Sequence, residues 1–576
     1  MKRFILPHTL FFLFSFLSLH LFCEYHYPFL EQNQLFLWTF DYFEERFLLP
    51  GGLTFWASEC LTQFFFYPYV GAFVSALLYT SVGLWMQLLY ERFSSQRRFS
   101  LLFFLPAVAL FVSSLDFNTL LQYTLAFVAM QKTLYAYLCL AKKRWKPLYA
   151  VGLAVLLWWM AGAVVLLYAL AVCMCEGLWR KSWHGVGTLF VALSCAAFGF
   201  VCGWSPTWQH AFLPDAYYHL TLSPHANLYF PLISLPLLLL FFVFLAKRSV
   251  YKWGYWCAEG VVIGALCVAG FYHYYDHNSA FTKRMDYAIR TEQWGEVKRL
   301  CQGKPQTNYM AMAYLNVALA REGRLAEDLF RFDQHGGKGL VLGWNQQFFP
   351  SIINSEVYYA MGNTAKSQEM AFEAFVSAQG TGSGRMLQRL VQTNLINGAY
   401  PVARKYINLL EKTTVYKDWA TAHRRFLDND EAVLRDPELG GRRRCLPAKN
   451  FLADNRGVLY DLERLAEGES TLDAPKHYLG ALMLFAKDLP RFKTFMETYY
   501  TKAQTDKPIP RAFQEALMIV YSKDAESLAA YNLHPNIKQA FTAYEKNFIA
   551  NRKHPNLRGL FAKTYGQTYW FYFLFK

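Results

Sequence analysis

Residues 147–175 carry no charge, an apolar run of 29 residues. In hydrocarbon every backbone N–H and C=O has to be satisfied within its own segment, so such a run is helical. As one helix it would be about 44 Å long, against a hydrocarbon core of about 30 Å. It therefore either tilts steeply or doubles back, and Trp159-Met160-Ala161-Gly162 is where it can break. Charge chooses between the two. If the run is a hairpin, the basic loops at Arg92 to Arg98, Lys142 to Lys146, Arg180-Lys181 and Lys247 to Lys252 all fall on one side. The opposite loops (23–68, 114–118 and 204–228) then carry only Arg46, as expected outside the cytoplasm. A single span would put the later basic loops on the wrong side. The pattern thus predicts nine membrane segments: 4–22, 70–90, 100–113, 120–141, two within 147–175, then 187–203, 229–246 and 256–272.

The first run follows Met1-Lys2-Arg3 and resembles a signal peptide, but it is long enough to span and no small-x-small site follows it. We read it as a retained helix with a cytoplasmic N-terminus, which leaves the C-terminal part outside the cytoplasm. Charge density separates the same two parts. Up to Tyr272 there are 16 Lys/Arg and 11 Asp/Glu, while the remainder holds 41 and 31. The domains expected are therefore a transmembrane domain over 1–275 and a water-facing one over 276–576. Three charges lie within or beside the spans: Lys132, expected to snorkel, and Glu176 and Glu259, expected to be solvated at cytoplasmic ends. The eleven cysteines match neither a CxxC motif nor a disulfide framework. No basic run interleaves with stacking aromatics, which argues against nucleic acid as a partner. Arg442-Arg443-Arg444 reads as a solvated loop.

The external loop 23–68 holds six acids (Glu24, Glu31, Asp41, Glu44, Glu45, Glu59). Helical spacing groups Leu35, Trp38, Tyr42 and Phe43 on one face and Asp41, Glu44 and Glu45 on another. Pro50-Gly51-Gly52 interrupts the pattern before a second amphipathic run. Helices of this kind suit the membrane interface, rings at headgroup depth and carboxylates toward water.

Beyond residue 276 amphipathic helices come in pairs. Turns at Glu292-Gln293-Trp294, Gly323-Arg324-Leu325, Gly362-Asn363-Thr364 and Gly398-Ala399-Tyr400 lie 31, 39 and 36 residues apart. That spacing is near the period of about 34 of tetratricopeptide repeats, which Tyr309 to Arg324 also resembles, and predicts a stacked helical solenoid. The pair 477–487 and 490–500 is a further candidate. The final aromatic run from Tyr569 to Phe575 is too short to span and is expected either buried on the solenoid or laid on the membrane. The fold class expected is all-α, a polytopic membrane domain followed by a tetratricopeptide-like solenoid.

There is no Walker loop, no GxGxxG, no HExxH and no GxSxG. The order of parts over about the first 270 residues is similar to that of the C-type membrane glycosyltransferases, which take a sugar from a polyprenyl-phosphate carrier outside the cytoplasm. Mannosyltransferases of that class carry tetratricopeptide repeats on the same side. The whole chain also resembles an uncharacterised family of bacterial multi-pass proteins of the inner (cytoplasmic) membrane with helical C-terminal domains. The glycosyltransferase resemblance implies a catalytic role for Glu24, Asp41, Glu44 and Glu45. One carboxylate would deprotonate an acceptor hydroxyl and one or two would hold a divalent metal ion against the donor phosphate. Arg46, His219 and His225 would contact that phosphate, with Asp116 and Asp215 as additional external acids. Glu24 lacks the adjacent second acid of that class. The competing expectation is a non-enzymatic membrane scaffold or assembly factor whose solenoid holds a protein or peptide, and a transporter is third.

Overall fold

The computed structural model describes residues 2–93, 99–140, 145–205, 207–213, 226–247, 253–378, 381–447, 456–468 and 472–576. Among these residues the regular elements are helices, with no strand. The chain divides into two compact units, Met1–Lys283 with Lys412–Val415, and Arg284–Glu411 with Tyr416–Lys576.

The first unit runs through α1 (Lys2–Cys23), α2 (His26–Gln32), α3 (Phe40–Phe47), α4 (Gly52–Thr62), α5 (Val70–Phe93), α6 (Leu105–Ser114), α7 (Leu121–Cys139), α8 (Lys146–Ala161), α9 (Val165–Cys175) and α10 (His184–Val201). Helices Phe230–Lys247 and Trp253–Tyr274 follow. At its centre is α7, packed on α4, α5, α8 and α9 and burying Tyr123, Phe127, Met130, Leu134 and Tyr137. The outer helices instead expose Leu10, Phe190, Val201, Val261 and Tyr272. Exposed apolar rows of that length suit lipid, not water. By length and composition five stretches among the described residues can cross a bilayer: Ile5–Cys23, Val70–Arg92, Lys146–Leu178, His184–Val201 and Gly254–Tyr274.

The stretch Lys146–Leu178 doubles back. Tyr168 in α9 donates its hydroxyl to the carbonyl of Ala150 in α8 at 3.4 Å, whereas 18 residues of straight helix would separate them by about 27 Å. The reversal falls at Gly162, where φ is +70°, beside the expected break. The last carbonyls of α8, which have no partner within the helix, are met by the loop 23–68: Gly51 N–H donates to Trp159 O at 2.8 Å and Thr54 Oγ1 to Met160 O at 2.5 Å.

Glu176 and Glu259 depart from expectation, since both are buried. Glu176 accepts from the Tyr137 hydroxyl at 2.5 Å, while Glu259 accepts from Ser100 Oγ and Leu101 N–H, both at 2.9 Å. The carboxylate of Glu259 thus supplies acceptors at a helix start, where backbone donors are left over. Composition cannot distinguish that tie from a solvated end.

The second unit repeats one turn. At Glu292, Gly323, Gly362, Gly398 and Lys487 the residue just past a helix has positive φ. The next N–H then reaches five residues back, Gln293 to Ala288, Arg324 to Leu319, Asn363 to Tyr358, Ala399 to Asn394 and Asp488 to Met483, at 2.8–3.0 Å. This is the Schellman closure of a helix C-terminus, which leaves the chain aimed into the next helix. Helices so joined pack on each other: Tyr309–Arg321 on Leu325–Asp328, Phe348–Met361 on Thr364–Ser377, Gly384–Ile396 on Tyr400–Leu410 and Ala474–Phe485 on Leu489–Tyr499. The stack is not open-ended, because helix Ala474–Phe485 returns to pack on Leu325–Asp328 and Phe348–Met361. The terminal helix Tyr569–Phe575 is buried from Tyr569 to Tyr572 against Arg511–Val520.

Candidate functional site

Three arrangements bring ionisable groups together, two in the first unit and one in the second. In the first, α2 ends at Gln32 and the backbone runs without helix to Thr39. The single amphipathic face expected for Leu35 to Phe43 is therefore split, because Thr39 caps a new helix by accepting from Tyr42 N–H. From α3, Asp41, Glu44 and Glu45 point to solvent, as does Glu24 in the turn between α1 and α2. Arg46 turns inward. Its Nη2 lies 3.1 Å from Glu59 Oε1 and 3.5 Å from the Tyr42 hydroxyl, which itself donates to Glu59 Oε2 at 2.5 Å.

Glu59 is 2% exposed, and burial pushes its carboxyl up to about 7 although Arg46 and Tyr42 pull it down. The guanidinium also stacks on Phe55, 4.7 Å from the ring centroid. The fold makes this knot by bringing α3 back over α4: a Cβ on Gly52 would sit 1.7 Å from Arg46 O, so only glycine fits that corner. Trp38 beyond the knot donates its N–H to Lys412 O at 3.0 Å, within the same unit.

Deeper in this unit a cavity of about 20 Å³ is lined by His26, Tyr27, Ser75, Tyr79, Ser114 and Thr124, enough for about one water. Lys283, only 5% exposed, brings its Nζ to 3.3 Å from His26 Nδ1 and lies over the Phe29 and Phe117 rings. Burial, reinforced by that ammonium, holds His26 well below its usual range. Its neutral Nδ1 therefore accepts from Lys283, leaving the proton on Nε2.

Of the other expected residues, Asp116 is buried and holds its own loop, accepting from Asn118 N–H at 3.0 Å and from Asn227 Nδ2 at 3.5 Å. Asp215, His219 and His225 lie outside the described residues. Among the described residues no group of three His, Cys, Asp or Glu side chains is arranged to hold a metal ion.

In the second unit four arginines converge from three helices. Arg385 bonds Asp286 at 2.8 Å and Glu356 at 3.0 Å, Arg389 bonds Glu356 at 2.6 Å, and Arg321 bonds Glu438 at 3.0 Å. The Tyr314 hydroxyl adds a 2.5 Å bond to Asp286. Arg389 and Arg442 place Cζ 3.5 and 3.7 Å from the Tyr359 ring centroid. Two guanidiniums that close cannot share one face, so they sandwich the ring.

Burial works against the charge on Arg385, but Asp286 and Glu356 outweigh it and raise its pKa. Arg442 goes the other way: burial, then the charges of Arg321 and Arg389, pull it below its usual range. Its nearest carboxylate oxygen, on Glu438, is 3.8 Å off, and it bonds instead to Tyr359 O and Glu438 O. The expected solvated loop at 442–444 is thus corrected, since Arg442 is 7% exposed on helix Pro437–Arg443. Arg385 and Arg389, four apart on one helix, were the available sequence signal for this cluster, but their acids come from two other helices.

No curated protein and no solved structure matches the chain. The profile of one family covers residues 2–576, and the chain belongs to that family, the family of unknown function DUF6057.

Proposed function

We propose that this protein is a non-enzymatic scaffold or assembly factor, anchored by its apolar helices and binding a protein or peptide through its second unit. The observation that carries the reading is the five-fold recurrence of one helix, Schellman turn and helix. Units joined that way present corresponding surface positions side by side, as tetratricopeptide solenoids do when they bind extended partners. The arginine cluster around Tyr359 would stiffen that framework. The charge asymmetry of the loops, with the reversal at Gly162, supports nine membrane segments, a cytoplasmic N-terminus and an extracytoplasmic second unit in a bacterial inner membrane. Reporter fusions after Lys181 and Lys252 then read cytoplasmic, and one after Lys304 reads external.

One observation favours a second reading, a C-type glycosyltransferase drawing on a polyprenyl-phosphate-linked sugar. Glu59, with its carboxyl near 7 beside Arg46, has the ionisation of a general base at neutral pH. Site-specific photo-crosslinking in native membranes separates the two readings. The scaffold gives a discrete adduct from exposed positions of helices 348–410, retained when Glu24, Asp41, Glu44, Glu45 and Glu59 are neutralised. No adduct from any exposed position of those helices removes the scaffold.

A further inference from the structure

From Ser527 to Lys576 the chain holds seven Lys/Arg and a single acid, Glu545. Those 50 residues contribute +6 of the formal net charge of +15. Lys576 is taken up by Asp333. The other six, Lys538, Lys546, Arg552, Lys553, Arg558 and Lys563, are all exposed, and none is ion-paired among the described residues. They sit on helix Pro535–Asn551, helix Leu557–Tyr565 and the turn between them. Residues 284–526 hold 33 Lys/Arg against 29 Asp/Glu, so the excess of positive charge in this unit is concentrated here.

Its arrangement is that of a face. On the longer helix Phe541 and Tyr544 are buried and Phe548 packs on Phe561, so this side faces the unit's own core. Helical spacing turns Lys546 and Ile549 away from that side, with Lys538 on its flank and Glu545 beside Ile549. Ile549 is 67% exposed and Leu560, on the neighbouring helix, 41%. Cations around protruding aliphatic side chains are what an interfacial surface needs: lysines and arginines for lipid phosphates, and aliphatic groups to enter the acyl boundary.

We propose that this C-terminal helical pair, Pro535–Asn551 with Leu557–Tyr565, docks on anionic phospholipid. Charge complementarity selects an anionic partner. Tethering selects lipid among anions, because the chain's own apolar helices hold it to a bilayer at high effective concentration. Each cation near such a surface strengthens partition by about fivefold, so removing four should weaken binding by at least about tenfold even after screening.

The test uses the full chain held in zwitterionic nanodiscs, mixed with vesicles of phosphatidylcholine alone or of phosphatidylcholine with phosphatidylglycerol, and separated by flotation. Co-flotation should occur only with the phosphatidylglycerol vesicles, fall with added salt, and be lost in K538Q/K546Q/K553Q/K563Q. Those four side chains are exposed, so the variant retains its fold, which hydrogen exchange of the second unit confirms. Equal flotation with both vesicle types, or unchanged flotation of the variant, overturns the proposal. Binding to a DNA oligonucleotide without lipid-dependent flotation overturns it in favour of a nucleic-acid surface.

Discussion

Replacing Arg46 by Met should destabilise the loop 23–68 at pH 8 and much less at pH 5. The reason lies in Glu59, whose carboxyl stands near 7 in the fold against an ordinary 4.5. A folded-state pKa above the unfolded one means that the fold holds the proton more tightly. Stability is therefore full below about 4.5 and declines as pH rises through 7, by roughly 2–4 kcal/mol for a shift of this size. At pH 8 the carboxylate is charged, and Arg46, 3.1 Å away, is its nearest cation. Removing the guanidinium leaves a buried, unpaired charge, a loss of about 3–5 kcal/mol. At pH 5 Glu59 takes up a proton instead, and the loss reduces to two hydrogen bonds at about 0.5–1.5 kcal/mol each. Hydrogen exchange of peptides covering residues 40–62 measures this directly. The variant's exchange should accelerate relative to the parent by about 150-fold at pH 8, and by about tenfold less than that at pH 5. Glu59→Gln, which mimics the protonated acid, should show no such pH dependence. Equal acceleration of Arg46→Met at both pH values would refute the reasoning.

Three further outcomes concern the second unit. Arg385→Met strands Asp286 and leaves Glu356 with Arg389, and should cost about 3–5 kcal/mol in denaturant unfolding, part of it recovered in the double variant with Asp286→Asn. Trp570→Ala empties a site that is 1% exposed and removes the indole bond to Glu515 O at 2.7 Å; thermal unfolding should register a loss of about 3–5 kcal/mol. Lys487→Gly should stabilise by up to about 1 kcal/mol, whereas Gly362→Ala should destabilise by at least about as much, since both positions have positive φ.

These effects also mark what was legible in the sequence. The reversal at Gly162 was readable because lipid forbids unpaired backbone and because basic loops sort to one side. Four of the five turns were readable from their sequence punctuation, three of them from glycine. The fifth, at Lys487, carries its positive φ on a lysine and was visible only as a boundary between apolar runs. The buried acids were not readable. Glu59 and Asp41 look alike in an acid-rich loop, and only the fold, by laying α3 over α4, buries one and leaves the other in water. Arg442 was misread for the same reason: its partners, Tyr359 and Glu438, include one 83 residues away.

The measurement that most directly tests a scaffold against an enzyme is rescue of a deletion phenotype by E24Q/D41N/E44Q/E45Q/E59Q, with membrane abundance followed alongside. A general base contributes about two to four orders of magnitude in rate, so an enzyme relying on those carboxylates would not survive their joint neutralisation. The scaffold account predicts full rescue at normal abundance. Failure to rescue at normal abundance would contradict it.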